Sequence, residues 1–331
     1  MAGFVARRLT SALLVVTLTS MFVFALFFLG PGNPAGPVCE AQGRCTPERL
    51  AAIERQMGLD QSVVTQYAAF VRGLVVDRTV VVGGEHTCAA PCLGISYGSR
   101  QEVTEELARR FPATLSVAVG GATIYLLVGV TTGSLAARWR GTTADRLLVG
   151  GSLLVSSVPY YLLALLAWIV LALQWGLFPG TGYTPLTEDP VAWASGLLLP
   201  WLVLGVAGST QYARYTRGAM VETLGEDYIT TARAKGLSPR RVVFGHGLRA
   251  AIAPVLTIFG LDMAALLAGT VFTEQIFGID GVGSWALEAV RAPQDFPVLH
   301  ATVLLGAVLV VVANLVVDLA YGLVDPRVRT S

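Results

Sequence analysis

The side chains that do chemistry in proteins are few in this sequence and poorly placed for catalysis. The only lysine, Lys235, is followed by Gly236. A phosphate-cradling loop needs Gly-Lys-Ser/Thr, in which the lysine reaches the phosphates and the hydroxyl holds magnesium, so this chain cannot build one. The three histidines, His86, His246 and His300, are scattered, and neither H-E-x-x-H nor G-x-S-x-G occurs. Glu274, Asp280, Glu288 and Asp295 crowd into the segment 274–297, where two carboxylates working as acid and base would be the one such pair available. Nothing else in the sequence supports that pair, and the chain itself is not expected to be an enzyme.

Cys39, Cys45, Cys88 and Cys92 all fall in one segment, 30–112. That placement fits an oxidising compartment and one or two disulfides. Four cysteines permit three full pairings, and spacing does not choose among them. His86, Cys88 and Cys92 look superficially like a ligand set, but their spacing matches no common zinc pattern, so no metal is expected.

One acid lies where acids are rare. Asp262 sits mid-way along an apolar stretch, in Gly260-Leu-Asp-Met-Ala-Ala-Leu-Leu-Ala-Gly269. A charge at the centre of a membrane helix costs about 2.5–3.5 kcal/mol, and aspartate is too short to reach the interface. Asp262 must therefore face the interior of a bundle or a watery cavity. It either bonds a neighbouring helix or lines a path and meets polar or cationic groups that pass.

The elements that carry these residues are set by hydropathy. The chain has 331 residues, 54% of them apolar and only 14% charged, against about a quarter charged in a soluble domain. Net charge is +1, which implies no nucleic-acid partner. Leu9–Leu29 is uncharged and long enough to cross hydrocarbon as a helix. It exceeds a signal-peptide core and is followed by no small-residue cleavage site, so it reads as a retained span. Further spans are expected at Ala113–Ala137, Leu147–Leu173, Trp193–Tyr212, Ala251–Phe272 and Val298–Tyr321. Arginines gather at the N-terminus, in 138–146 and 213–250, and after the last span, whereas 174–192 has no Lys or Arg and 274–297 only Arg291. By the positive-inside rule both termini and the 213–250 loop are cytoplasmic.

Two polar pieces have their own order. In 30–112, Thr46-Pro47-Glu48 is an N-cap signature, Leu50, Ile53 and Met57 form a stripe, and Gly58 ends it. Asp60 is expected to cap a second helix carrying Val63, Val64, Tyr67, Phe70, Val71 and Leu74, with a short strand at Thr79–Val82 and an amphipathic helix at Gln101–Arg110. In 213–250, Asp227 is expected to cap a helix Tyr228–Lys235, Gly236 to supply a left-handed turn, and Ser238-Pro239 to start a second helix. Ile229, Ala232 and Ala234 would give the first of these a low-relief surface suited to a groove on another protein.

Those residues carry a resemblance. Asp227-Tyr-Ile-Thr-Thr-Ala-Arg-Ala-Lys-Gly-Leu-Ser-Pro-Arg-Arg-Val, followed by Arg249-Ala-Ala-Ile-Ala-Pro254, resembles the EAA coupling loop of type I ABC importer permeases, and more narrowly the dipeptide/oligopeptide (DppB/OppB-like) type. Gly30-Pro-Gly-Asn-Pro-Ala35, Gly58-Leu-Asp-Gln61 with Gln66-Tyr67, and Phe111-Pro-Ala-Thr-Leu115 resemble further elements of that family. So do Glu274-Gln-Ile-Phe-Gly-Ile-Asp-Gly-Val-Gly283 and the stretch from Asn314 to Arg329. The chain departs from the pattern where Thr230-Thr231-Ala232 lacks the acidic residue, and where 37–46 and 76–92, which hold all four cysteines, look inserted.

The resemblance implies an all-α membrane protein: a six-span type I ABC importer transmembrane domain with a periplasmic helical insert between spans 1 and 2. Residues 1–29 would form the N-terminal region and first span, and 30–112 the extracytoplasmic insert. Residues 113–322 would form the transporter core with coupling loop 213–250, and 323–331 a cytoplasmic tail. Asp227, Thr230, Thr231, Ala232, Lys235, Gly236, Pro239 and Arg240 would dock an ATPase, and Asp262 would line the translocation path. Implied partners are a second permease subunit, two ABC ATPase subunits, an extracytoplasmic substrate-binding protein and lipid. ATP and magnesium would be used by the ATPases, with no cofactor in this chain. The implied location is a bacterial plasma membrane and the implied cargo short peptides, with nickel or glutathione as alternatives inside the family. An ion-coupled secondary transporter is the alternative outside it. That class wants paired intramembrane acids or inverted repeats, and only Asp262 and Asp318 are available.

Overall fold

The computed structural model describes residues 2–29, 33, 35–41, 43–82, 84–178, 180–291 and 294–324. The family-like stretch at 30–35 lies mostly outside the described residues, as do 325–331 of the expected tail and the side chains of Ala264, Ala265, Ala268, Gly269 and Asp318. Helices account for nearly all regular structure: α1 (Ala2–Leu29), α2 (Ala35–Ala41), α3 (Pro47–Gln56), α4 (Val63–Gly73), α5 (Val103–Arg138), α6 (Thr143–Ser157), α7 (Tyr160–Ala167), α8 (Pro190–Thr223), α9 (Asp227–Ala234), α10 (Leu248–Phe277), α11 (Val282–Val290) and α12 (Phe296–Val324). One antiparallel hairpin joins β1 (Arg78–Val81) to β2 (Glu85–Cys88). The chain divides into two compact units, Met1–Pro112 with Asp280–Val312, and Ala113–Ile279 with Ala313–Ser331.

Among the described residues, four helices are long and apolar enough to cross a membrane: α5, α8, the stretch Arg241–Gly260 and Phe296–Leu315. The expected span Leu147–Leu173 is not one straight rod. α6 ends at Ser157, and the next segment leaves at 94°. Pro159 is the cause, because it has no N–H and drives the residue before it out of the helical region; Val158 has ψ 126°. After α7 the chain winds through a π-helical turn, Trp168–Gln174. Counting the bent pair as one span gives five. α1 adds a helix of 28 residues whose described apolar part is Thr10–Leu26. Large apolar side chains on these helices point outward, among them Phe22, Leu147 and Leu154, as expected of surfaces solvated by lipid.

In the first unit the expected caps are partly corrected. Thr46 caps α3 by accepting from Arg49 N, Pro47 takes the first helical position, and Gly58 follows with φ +70°. α4, however, is capped by Ser62, whose hydroxyl accepts from Thr65 N; Asp60 lies too far upstream. The helix expected at Gln101–Arg110 and the second span form one element. α5 runs from Val103 to Arg138 through Pro112, whose missing N–H is tolerated inside the helix. The strand expected at Thr79–Val82 is β1, with Arg78 opposite Cys88 and Val80 opposite His86. A small core of Ala35, Val38, Ile53, Val82 and Ile95 closes around two disulfides, Cys39–Cys45 and Cys88–Cys92. Each of the stretches 37–46 and 76–92 is thus stapled within itself.

In the second unit α8 packs against α6, α7 and α10. Glycines let α5 approach α8 closely: a Cβ on Gly133 would lie 2.5 Å from Ala213 O, and one on Gly129 2.6 Å from Tyr212 Cβ. The expected 38-residue loop 213–250 is mostly helix. α8 continues to Thr223, and from Pro239 the chain is helical again, passing through a π-helical turn, Arg241–Gly247, into α10. Only α9 and its flanking turns remain as connection.

Candidate functional site

α9 follows α8 after a turn at Gly225 and Glu226. Glu226 occupies the N-cap position without a side-chain bond, and Asp227 is the first helical residue, not the cap. There its negative charge faces the exposed N–H groups of the first turn, a favourable placement. Ile229 and Ala232 are buried against Val242, with Leu224 and Leu237 beside them. They anchor α9 to the start of the next helix and are not part of its outer surface. The outer surface is Tyr228, Thr230, Thr231, Arg233, Ala234 and Lys235, all exposed. Thr231 Oγ1 donates back to Asp227 O at 3.0 Å. Gly236 has φ +79°, and its N–H reaches Arg233 O at 3.0 Å. A side chain there would be strained by its left-handed backbone, which is the physical reason for glycine. Pro239 and Arg240, both exposed, open the next helix. The element is a short helix held by two buried residues and aimed by one glycine.

Asp262 is half-buried in α10 and turned toward α8. Its Oδ2 accepts from Tyr212 Oη at 3.0 Å and from Gln211 Nε2 at 3.4 Å. Tyr212 is itself packed edge-on against Tyr125 at 4.7 Å and against Phe259 at 6.4 Å. The structure thus places Asp262 against the Tyr212 hydroxyl, beside the aromatic cluster to which Tyr212 belongs. Sequence reasoning reached Asp262 through the rarity of intramembrane acids, but missed Tyr212 and Gln211, which carry no such signal.

It also missed Asp145 and Arg217. Arg217 Nε and Nη2 donate to Asp145 Oδ1 and Oδ2, both at 2.7 Å, and Gly141 N donates to Oδ2 at 3.0 Å. The available signal was Thr142 with Asp145 three residues on, a helix-start pattern, and Thr142 does cap α6.

The remaining candidates separate. Glu274 accepts from Thr114 Oγ1 at 2.7 Å, Asp280 pairs with Arg110, and Asp295 Oδ2 accepts from Ser96 Oγ at 2.6 Å and Gly98 N at 3.1 Å. These carboxylates hold structure and do not converge on one point of chemistry. Cys88 and Cys92 are joined to each other, so their sulfurs are not thiolate ligands beside His86.

Residues 129–330 match the family model described as the inner membrane component of binding-protein-dependent transport systems, and residues 1–118 match the companion model for the N-terminal part of such components. The chain belongs to this family of importer membrane components. It is 36% identical over 352 residues to the dipeptide transport system permease protein DppB of Escherichia coli (strain K12), covering 99% of each chain. It is 37% identical over 351 residues to the di/tripeptide transport system permease protein DppB of Pseudomonas aeruginosa (strain UCBPP-PA14), again over 99% of each. Among solved structures, a chain of the inward-facing MetNI methionine ABC transporter superposes with a TM-score of 0.55 at 17% identity, covering 67% of this chain and 97% of that one. The fold is therefore the all-α fold of type I ABC importer permeases, and the protein is a membrane-embedded transport subunit.

Proposed function

We propose that this chain forms half of the translocation pathway of an ATP-driven importer of short peptides. Its partner would be a second, homologous permease subunit in a bacterial inner membrane. Two ABC ATPase subunits, which bind ATP and magnesium, would grip α9 from the cytoplasm, and a substrate-binding protein would deliver cargo from outside. Six crossings are proposed: α1, α5, the bent pair α6 and α7, α8, α10 and α12, with both termini cytoplasmic, as the arginine distribution favours. The observation that carries the reading is α9 itself. It is a short helix whose outer face is exposed, on a chain that lacks any phosphate-binding loop, and this supports entry of the energy for transport through contact with a separate ATPase.

Closing of the ATPases would push α9, and the rigid join of Ile229 and Ala232 to Val242 would pass that push to the helix entering α10. The bundle then exchanges outward and inward openings. The test is reconstitution of the chain with a homologous permease subunit, two ABC ATPase subunits and a substrate-binding protein. Uptake of dipeptides and tripeptides should require ATP, and ATPase activity should rise with loaded binding protein. Uptake driven by an ion gradient without ATPases would replace this reading with a secondary transporter. ATP-driven uptake of nickel or glutathione but not peptides would change the cargo alone.

A further inference from the structure

The first unit holds a half-open cavity of about 530 Å³ lined by residues of α3, α4, β1 and the start of α12. Arg78 lines it. This side chain is partly buried, lies over the Phe70 ring at 5.9 Å, and donates from Nε to Cys92 Sγ at 3.1 Å. It makes no ion pair among the described residues. The adjacent acid, Asp77, which also lines the cavity, accepts from Ala90 N at 2.8 Å through Oδ1. Burial lowers the Arg78 pKa from its ordinary value, opposed by the nearby Tyr97. Such a group is costly unless paired, and its two terminal nitrogens match a carboxylate. Arg55 and Arg72 on the same wall raise the positive potential further.

The same cavity is lined by an open strand edge. Val82 N donates to Gly84 O, so Val82, Val80 and Arg78 are the hydrogen-bonded positions facing β2. Thr79 and Val81 therefore turn their N–H and C=O groups to the other side, where no third strand lies among the described residues, and both line the cavity. Alternating donors and acceptors along an edge ask for a ligand with a backbone of its own. The cavity is of small-ligand size and has no room for a folded domain.

We infer that this cavity binds the free carboxylate end of a short extended peptide, its backbone adding to the β1 edge at Thr79 and Val81 and its carboxylate pairing with Arg78. The strand-edge and carboxylate recognition stand on the cavity alone; the choice of a free short peptide as occupant rests on the import reading above.

The test uses the full chain in lipid nanodiscs and titration calorimetry with trialanine, its C-terminal amide, and trialanine N-methylated at the central residue. Trialanine should bind, and both altered peptides should bind about tenfold or more weakly, the loss expected when one charge-assisted pair or one edge bond is removed. Arg78→Gln should abolish the preference for acid over amide. Equal binding of acid and amide, no binding of trialanine, or an acid preference that survives Arg78→Gln would overturn the inference. The peptide comparisons are made on the unaltered chain and stand even where Arg78→Gln fails to fold. ATP-driven peptide uptake without any carboxylate-dependent binding would sink this site and leave the import reading intact; carboxylate-dependent binding without uptake would do the reverse.

Discussion

Arg217 holds Asp145 through two parallel bonds, both 2.7 Å, across the packed pair α6 and α8. Asp145 is 4% exposed, and Thr142 and Gly141 wrap the same carboxylate or its helix start. Ten residues beyond Arg217, α8 has given way to α9, so the pair ties the helix that leads into α9 to the first turn of α6. Removing Arg217 leaves a carboxylate buried without its counter-charge. A fully buried pair broken on one side loses about 3–5 kcal/mol; here the Arg217 side chain is 30% exposed and water screens part of the loss, so about 2–3 kcal/mol is expected. Arg217→Ala should lower the thermal midpoint of the purified chain by several degrees, and Arg217→Lys should restore only part of it, because lysine cannot make the two-pronged contact. An unchanged midpoint in Arg217→Ala would show that the pair is idle.

Gly236 is the second point of leverage. Its φ of +79° costs a branched side chain about 1 kcal/mol or more, and nothing lies within 4 Å to block a Cβ, so the effect is one of backbone and not of clash. Gly236→Val should insert normally yet reduce ATP-coupled uptake, since Lys235 and Leu237 would shift the angle of α9. Gly236→Asn, which tolerates the left-handed region, should fall between the two. Full uptake in the valine variant would remove α9 from the ATPase contact.

The disulfides give a covalent test. Digestion without reductant should release one peptide pair joining Cys39 to Cys45 and another joining Cys88 to Cys92, the pairings seen at Cα separations of 5.3 and 5.5 Å. Because each closes a short loop, each contributes only about 2 kcal/mol by restricting the unfolded chain. Cys39→Ser with Cys45→Ser should therefore destabilise the first unit modestly without abolishing insertion. Crossed pairings, or four thiols open to alkylation in protein taken from its native membrane, would contradict this arrangement. Deleting 76–92 should weaken association with the substrate-binding protein, since this insert is expected on the outer face; unchanged association would clear it of that role.

How far the sequence led can be judged from single residues. Thr46, Pro47 and Gly58 announced α3 because capping chemistry is local and leaves a local pattern. Gly236 announced its turn for the same reason. Asp60 misled because Ser62, two residues on, offers the better-placed hydroxyl, and competition between nearby caps is decided by where the helix packs. Pro112 and Pro159 look alike in sequence. One passes inside α5 and the other ends α6 at a bend of 94°. That difference depends on neighbouring helices, and hydropathy carries none of it. Hydropathy bounds the connection at 213–250, because the apolar stretches stop there, whereas helices α8 and α10 extend beyond them. The partners of Asp262 and Asp145 lie 50 and 72 residues away in sequence, and contacts of that range leave no trace in spacing.

Asp262 gives the last prediction. Oδ2 is engaged by Tyr212 and Gln211, while Oδ1 has no partner among the described residues. Tyr212, whose hydroxyl bonds Oδ2, belongs to an aromatic cluster with Tyr125 and Phe259 in which the ring centroids lie 4.7–6.4 Å from one another. A carboxylate with one free oxygen beside aromatic faces is suited to a passing ammonium group, through charge and through cation–π attraction. The competing role is structural: tying α10 to α8. Two substitutions separate them. Asp262→Asn keeps an oxygen for Tyr212 Oη but removes the charge, so a purely structural role leaves uptake of every cargo unchanged. A path role lowers uptake of lysine-containing peptides more than that of alanine peptides, by about tenfold for one lost charge-assisted contact. Tyr212→Phe removes the shorter of the two bonds that tie Asp262 to α8 and keeps the charge. It should lower stability by about 1 kcal/mol, the net value of one buried hydrogen bond, while preserving the preference for cationic peptides. Uptake by Asp262→Asn that matches the unaltered transporter for both neutral and cationic peptides would take Asp262 out of the path and leave it as a tie between two helices.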